Sequence, residues 1–134
     1  MLICQSNIVM VNQKYKIAII EDELPIAEMY RFKLNNEGFL VSIAHNGEEG
    51  LSLCKTFTPD LILLDIKMPI MSGDIMLEKL RSTKWGSTIK VIVLTNISKD
   101  EAPTRLRMLN VDRYVVKAHH TPKQILDIVY EVLR

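Results

Sequence analysis

Five polar side chains stand where they can do chemistry: Glu21 and Asp22, Asp65, Thr95 and Lys117 follow directly on short apolar runs. Three carboxylates brought together repel one another unless a hard divalent cation with oxygen ligands neutralises them. Mg²⁺ is the natural cation for such a set. A carboxylate is a weak nucleophile, yet it accepts a phosphoryl group when a metal and a fixed ammonium offset the charge on the transferring oxygens. Lys117 can supply that ammonium, and Thr95 a hydroxyl to a phosphoryl oxygen.

These residues need a scaffold that makes them converge. Short apolar runs alternate with stretches of helical periodicity, the pattern of an α/β protein whose parallel sheet is covered by helices on both faces. Strands are expected at 17–20, 40–44, 61–64, 91–94 and 113–116. Pro25 suits the first turn of a helix carrying Ile26, Met29, Tyr30 and Leu34, which Asn36-Glu37-Gly38 ends. A second helix opens at Asn46-Gly47 with Leu51 and Cys54 inward, and Thr58-Pro59 breaks it. A third carries Ile75, Leu77 and Leu80. Ser98-Lys99-Asp100-Glu101 has capping-box form, which predicts a fourth helix with Pro103 in its first turn. A last helix starts at Thr121-Pro122 and carries Ile125, Leu126, Val129 and Val132-Leu133. In open parallel sheets ligands bind outside the carboxyl ends of the strands, so the five polar residues are expected to share one pocket.

Composition bounds what else is possible. A chain of 134 residues, 48% hydrophobic and 25% charged, is expected to fold as one domain with one core. Residues 1–14 are expected to be a short extension and 15–134 the domain. Lys and Arg number 17 against 16 Asp and Glu, a net charge of +1 that gives no electrostatic reason for nucleic-acid or anionic-membrane binding. No apolar run approaches the roughly 18 residues of a membrane span. The start of the chain lacks the form of a signal peptide. Cys4 and Cys54 read as reduced packing cysteines of a cytoplasmic protein.

Read singly, Asp65 is a loop acid, Thr95 an ordinary strand former and Tyr114 a packing aromatic. His45, His119 and His120 read as solvated loop residues, and Met68, Met71 and Met76 as packing. In order, however, Glu21-Asp22, Leu63-Leu64-Asp65-Ile66-Lys67-Met68-Pro69, Ser72-Gly73, Leu94-Thr95 and Tyr114-Val115-Val116-Lys117 resemble the receiver domains of two-component response regulators, from Lys16 to Leu133. The resemblance implies a flavodoxin-like three-layer fold, its five strands in the order 2-1-3-4-5, with five helices. It implies Asp65 as phosphoacceptor and Mg²⁺ held by Asp22, by Glu21 through water, by Asp65 and by the Lys67 carbonyl. Lys117 would grip the phosphoryl group, and Thr95 with Tyr114 would form the pair that reorients. A histidine kinase or phosphotransfer protein, or a small phosphodonor, would phosphorylate the domain. A downstream protein would read the 98–134 face, the domain acting as a monomer or as a phosphorylation-dependent homodimer and not as an enzyme.

The sequence departs from the family pattern in Ala118 where proline usually follows the lysine, in His119, and in Lys67. Three other readings use the same residues. A phosphatase with an aspartyl-phosphate intermediate generally has a second acid where Lys67 stands. A flavodoxin-like binding module would need a phosphate loop where Glu21-Asp22-Glu23 stands. A pseudo-receiver scaffold would have no need of the full set of site residues.

Overall fold

In the computed structural model, which describes residues 15–134, five parallel strands form one sheet in the order β2-β1-β3-β4-β5. They are β1 (Lys16–Ile20), β2 (Leu40–Ala44), β3 (Leu61–Leu64), β4 (Lys90–Thr95) and β5 (Arg113–Val116). Four α-helices accompany them: α1 (Leu24–Asn36), α2 (Gly47–Phe57), α3 (Gly73–Arg81) and α4 (Pro122–Leu133). The expected extension over residues 1–14, with Cys4, lies outside the described residues.

Successive side chains of a strand point to opposite faces, so a sheet covered on both sides must be apolar at every position. On one face Ile17, Ile19, Leu61, Leu63, Ile92, Leu94 and Val115 pack with Ala27, Tyr30 and Leu34 of α1 and Ile125, Ile128 and Val129 of α4. On the other face Ala18, Ile20, Ile62, Leu64, Val91 and Val93 pack with Cys54 of α2 and Met76, Leu77 and Leu80 of α3. Met76 is therefore a packing residue, as its type suggests. Cys54 is buried on the inner side of α2, and burial pushes its thiol up to about 12, so it stays protonated and acts as a small apolar group. Ile75, by contrast, leaves the expected inward stripe of α3 and is 37% exposed.

Local signals explain the helix ends. Asn46 accepts the Glu49 N–H at 2.9 Å and caps α2. Thr121 and Gln124 form a reciprocal capping box at the start of α4, with N–H···O distances of 3.1 and 2.8 Å. Pro25 lies in the first turn of α1.

The helix expected from Ser98 onward does not form. Two 3-10 turns, Lys99–Glu101 and Thr104–Met108, stand in its place. Pro103 does not continue a helix here: it forces the residue before it out of helical backbone, and Ala102 is extended at φ −64 and ψ 145. The Ser98 hydroxyl, expected to cap a backbone N–H, donates instead to the Glu101 carboxylate at 3.0 Å.

Candidate functional site

Strand register brings the polar residues together. Ile20 pairs with Leu64, Leu64 with Val93, and Thr95 with Val116. Glu21, Asp65 and Lys117 directly follow the last residues of β1, β3 and β5, and Thr95 ends β4, so the four meet at the carboxyl edge of the sheet. The Asp65 N–H still donates to Ile20 O at 3.0 Å, and the Glu21 N–H to Ala44 O at 3.0 Å, which keeps both acids fixed to the ladder. Their burial follows from this anchoring: Glu21 is 3% exposed, Asp65 9% and Thr95 1%. Asp22, one residue further out, is exposed.

Carboxylate oxygens of Glu21, Asp22 and Asp65 lie within 4.8 Å of one another. Asp65 Oδ1 accepts the Ile66 N–H at 2.7 Å, and Oδ2 faces Lys117 Nζ at 3.4 Å. Glu21 Oε1 takes a shorter hydrogen bond from the same ammonium, and its Oε2 accepts the Glu23 N–H at 3.1 Å. Burial raises the pKa of Glu21; Lys117 opposes that rise through its hydrogen bond, and the charge on Asp65 adds to it. For Lys117 burial alone would lower the pKa, but the hydrogen bond to Glu21 and the charges of Asp65 and Glu21 outweigh it and hold the ammonium protonated.

Hard oxygen donors in such a cluster, with one ammonium against three carboxylates, fit a divalent cation. Asp22, the exposed member, is the acid whose removal is easiest to read. Asp22→Ala is expected to weaken Mg²⁺ affinity by about tenfold or more and to raise thermal stability in metal-free buffer, since it relieves repulsion. Calorimetry and thermal melts with and without Mg²⁺ check both. Unchanged affinity would remove Asp22 from the ligand set.

The loop after β3 packs back beside Asp65. Ile70 turns it at φ 69, a conformation that strains a β-branched residue. The Met71 carbonyl then accepts the Gly47 N–H at 2.9 Å. Gly73 donates its N–H to Ile66 O at 2.7 Å, and a Cβ added to Gly73 would stand 2.0 Å from the Asp65 carbonyl oxygen. Lys67, in the same loop, has an exposed side chain. Met68 and Met71 pack against the core on the α2–α3 side.

Thr95 and Tyr114 share a face of the sheet. Val93, opposite Tyr114, points with Val91 to the α3 side, and Thr95 follows at the same two-residue period. Thr95 Oγ1 accepts the Ile97 N–H at 3.4 Å. The half-buried Tyr114 hydroxyl donates to Ile97 O at 2.7 Å, and burial, with the charges of Asp65 and Glu101, raises its pKa. The two candidate switch residues therefore hold one loop residue between them.

After Lys117 the chain forms a 3-10 turn over Lys117–His119, and the peptide to Ala118 is trans. His120 Nδ1 lies 3.0 Å from Val116 O. Among the described residues, the acidic trio is the grouping able to hold a metal, and no histidine joins it. None of the described helices is long and apolar enough to cross a membrane.

The residue types point to a shared pocket, but not to Glu21 as the nearer partner of Lys117, because the two stand 96 positions apart. Gly73 is visible in sequence only as part of a motif; its tight seat under Asp65 has no signal there.

Comparison with known proteins gives a consistent result. The model of the response regulator receiver domain matches residues 17–130. The uncharacterized transcriptional regulatory protein YkoG of Bacillus subtilis is 38% identical over 107 residues, covering 78% of this chain and 45% of that protein. The cell cycle transcriptional regulator CtrA of Caulobacter vibrioides is 34% identical over 113 residues, covering 84% of this chain and 48% of that protein. The chain thus spans about half the length of these curated relatives. Among solved structures, a CheY-like response regulator receiver domain protein of Methanospirillum hungatei superposes with a TM-score of 0.81 at 29% identity, covering 89% of this chain and 93% of that one. Chemotaxis response regulator CheY4 of Vibrio cholerae gives a TM-score of 0.81 at 24% identity, covering 89% and 98%, a likeness of fold.

Proposed function

The chain belongs to the response regulator receiver domains, the phosphoacceptor switches of two-component signalling, and from that premise we propose that Asp65 accepts a phosphoryl group from a histidine kinase, a phosphotransfer protein or a small phosphodonor. The observation that supports this most is the seat of Asp65: a buried carboxylate between two further acids and a protonated lysine, all at the carboxyl edge of the central strand. An Asp65 carboxylate oxygen forms the new bond to phosphorus while the bond from phosphorus to the donor breaks, and the donor leaves with the electron pair.

Each neighbour has a part. The Ile66 N–H fixes Oδ1 and so orients the carboxylate. Lys117 pairs with the arriving phosphoryl oxygens, and the Thr95 hydroxyl donates to one of them. Mg²⁺ held by Asp22, Asp65, the Lys67 carbonyl and, through water, Glu21 would supply the remaining neutralisation of charge. Thr95, recruited to the phosphoryl group, gives up Ile97, and Tyr114 loses the fixed position of its own partner. The change passes to the 98–134 face, which a downstream protein or a second copy of the domain reads. As parts of longer transcriptional regulators, the domains of YkoG and CtrA give a model for such an output.

Amide exchange tests the switch. Beryllofluoride with Mg²⁺, used as the phosphoryl mimic, is expected to change protection between Ser98 and Arg134 as well as around Asp65. A change confined to Asp65 and its loop would reject the route through Thr95 and Tyr114.

A further inference from the structure

The connection between β4 and β5 carries the sequence of a helix that it does not form. Thr104-Arg105-Leu106-Arg107-Met108-Leu109 has no glycine or proline and is rich in strong helix formers. Asn110 follows in left-handed backbone at φ 54. That is the residue type and conformation that end a helix, and Val111 after it packs in the same apolar cluster as Leu106, the contact that accompanies such an end. Yet 104–108 is wound as a 3-10 turn, whose hydrogen bonds are poorer than those of an α-helix. Contacts from outside the segment must favour the tighter form.

Two arginines tie the segment to α3. Arg81, at the end of α3, donates to the carbonyls of Leu109 and Asn110 at 2.8 and 2.9 Å. Those carbonyls lie at and beyond the last residue of the segment, where a helix leaves them free, so this contact suits either form. Arg105 is different, because it sits inside the segment. Its Nε lies 3.3 Å from Asp74 Oδ2 and its Nη1 3.1 Å from Glu78 Oε1. Asp74 is a buried acid in the first turn of α3, directly after the Gly73 that bonds to Ile66 O beside the acceptor.

We propose that Arg105 is a latch: its ion pairs to Asp74 and Glu78 hold residues 104–109 in the unwound form, and release of the latch lets them wind into an α-helix. The link to signalling rests on the phosphoswitch reading above. A shift at Asp65 and Ile66 reaches Asp74 through the Gly73 hydrogen bond and loosens the acid that Arg105 holds. Leu106 stays in the core and Asn110 already has its helix-ending conformation, so winding needs rearrangement of one turn only. Arg105 is thus a positioning residue that sets the resting population of the segment.

Amide exchange of the parent, Arg105→Met, Arg105→Lys and Glu78→Gln, with and without beryllofluoride and Mg²⁺, tests the latch. In an α-helix the Leu109 N–H, which here donates to Leu106 O at 3.2 Å, moves to the Arg105 carbonyl and the Met108 N–H to that of Thr104, in bonds of better geometry. Arg105→Met is therefore expected to slow exchange at Met108 and Leu109 about fivefold without beryllofluoride, Glu78→Gln by less, while Arg105→Lys stays near the parent. The substituted side chains are well exposed, so the fold is expected to tolerate the changes. Unchanged or faster exchange at these two amides in Arg105→Met overturns the latch. A parent that shows no response to beryllofluoride at any amide overturns the phosphoswitch reading instead, whatever the Arg105 variants do.

Discussion

Asp65→Asn is expected to abolish phosphoryl uptake from a small phosphodonor, with no added mass in the intact protein under conditions that label the parent. The amide keeps the shape of the carboxylate and can still accept the Ile66 N–H, so the loop should keep its path. What it loses is the proposed nucleophile, and no neighbour stands in its place: Glu21 is buried against Lys117, and Asp22 is exposed outside the ladder. The substitution also removes one of three crowded charges, so the variant is expected to be at least as stable as the parent in metal-free buffer. A stable Asp65→Asn protein that still takes up one phosphoryl group would refute the assignment. Labelling of a second site would appear in the parent as a second addition.

Gly73→Ala should be the most damaging single methyl in the site. Its Cβ would stand 2.0 Å from the Asp65 carbonyl oxygen and 3.0 Å from the Ile66 Cα, both backbone atoms that cannot swing aside. Relief requires the start of α3 to move away from the end of β3, which breaks the Gly73 N–H to Ile66 O bond and displaces the Asp65 backbone. A clash with fixed backbone in a packed region costs about 3 kcal/mol or more. Denaturant melts should show that loss, and phosphorylation of the folded fraction should be slower. Parent-like stability and labelling would mean that the β3–α3 loop has slack the structure does not suggest. Gly47→Ala offers a comparison at the start of α2, where the added Cβ would meet Met71 O at 2.5 Å.

Much of this arrangement is legible in sequence because parallel sheets impose simple rules. A strand buried on both faces must be apolar throughout, so Ile17 to Ile20, Leu61 to Leu64 and Val91 to Leu94 announce themselves, and the first polar residue after each marks the sheet edge. The order of the strands follows from the family resemblance, and the sheet has that order. The connection from β4 to β5 departs from expectation for a definable reason. Local signs of a helix start at Ser98 compete there with the steric rule that a proline sets on the residue before it, and Ala102 obeys that rule. The ion pairs of Lys117 with Glu21 and of Arg105 with Asp74 join residues far apart in the chain. Nothing in periodicity or residue type selects one acid over another as the partner of a given cation, so such pairings are visible only in three dimensions.

Burial gives these pairings unequal weight. Lys117 and Glu21 are both nearly shielded from water, so losing one partner would leave the other as an uncompensated buried charge. Arg105 and Glu78 are both well exposed, so their pair sits in the range where ion pairs adjust populations without deciding whether the domain folds, while Asp74 is the buried half of the other pair. The first belongs to the architecture of the site, and the second to its regulation. Such a division suits a switch, in which the chemistry must be fixed while the responding segment stays close to balance.

The most direct test of the central claim is intact-mass analysis of the parent protein after treatment with a small phosphodonor, in Mg²⁺ and in a chelator. One phosphoryl group is expected to add in Mg²⁺, and little or none in the chelator, where the charges of Glu21, Asp22 and Asp65 go unneutralised. No addition in Mg²⁺, or equal addition in both, would contradict it.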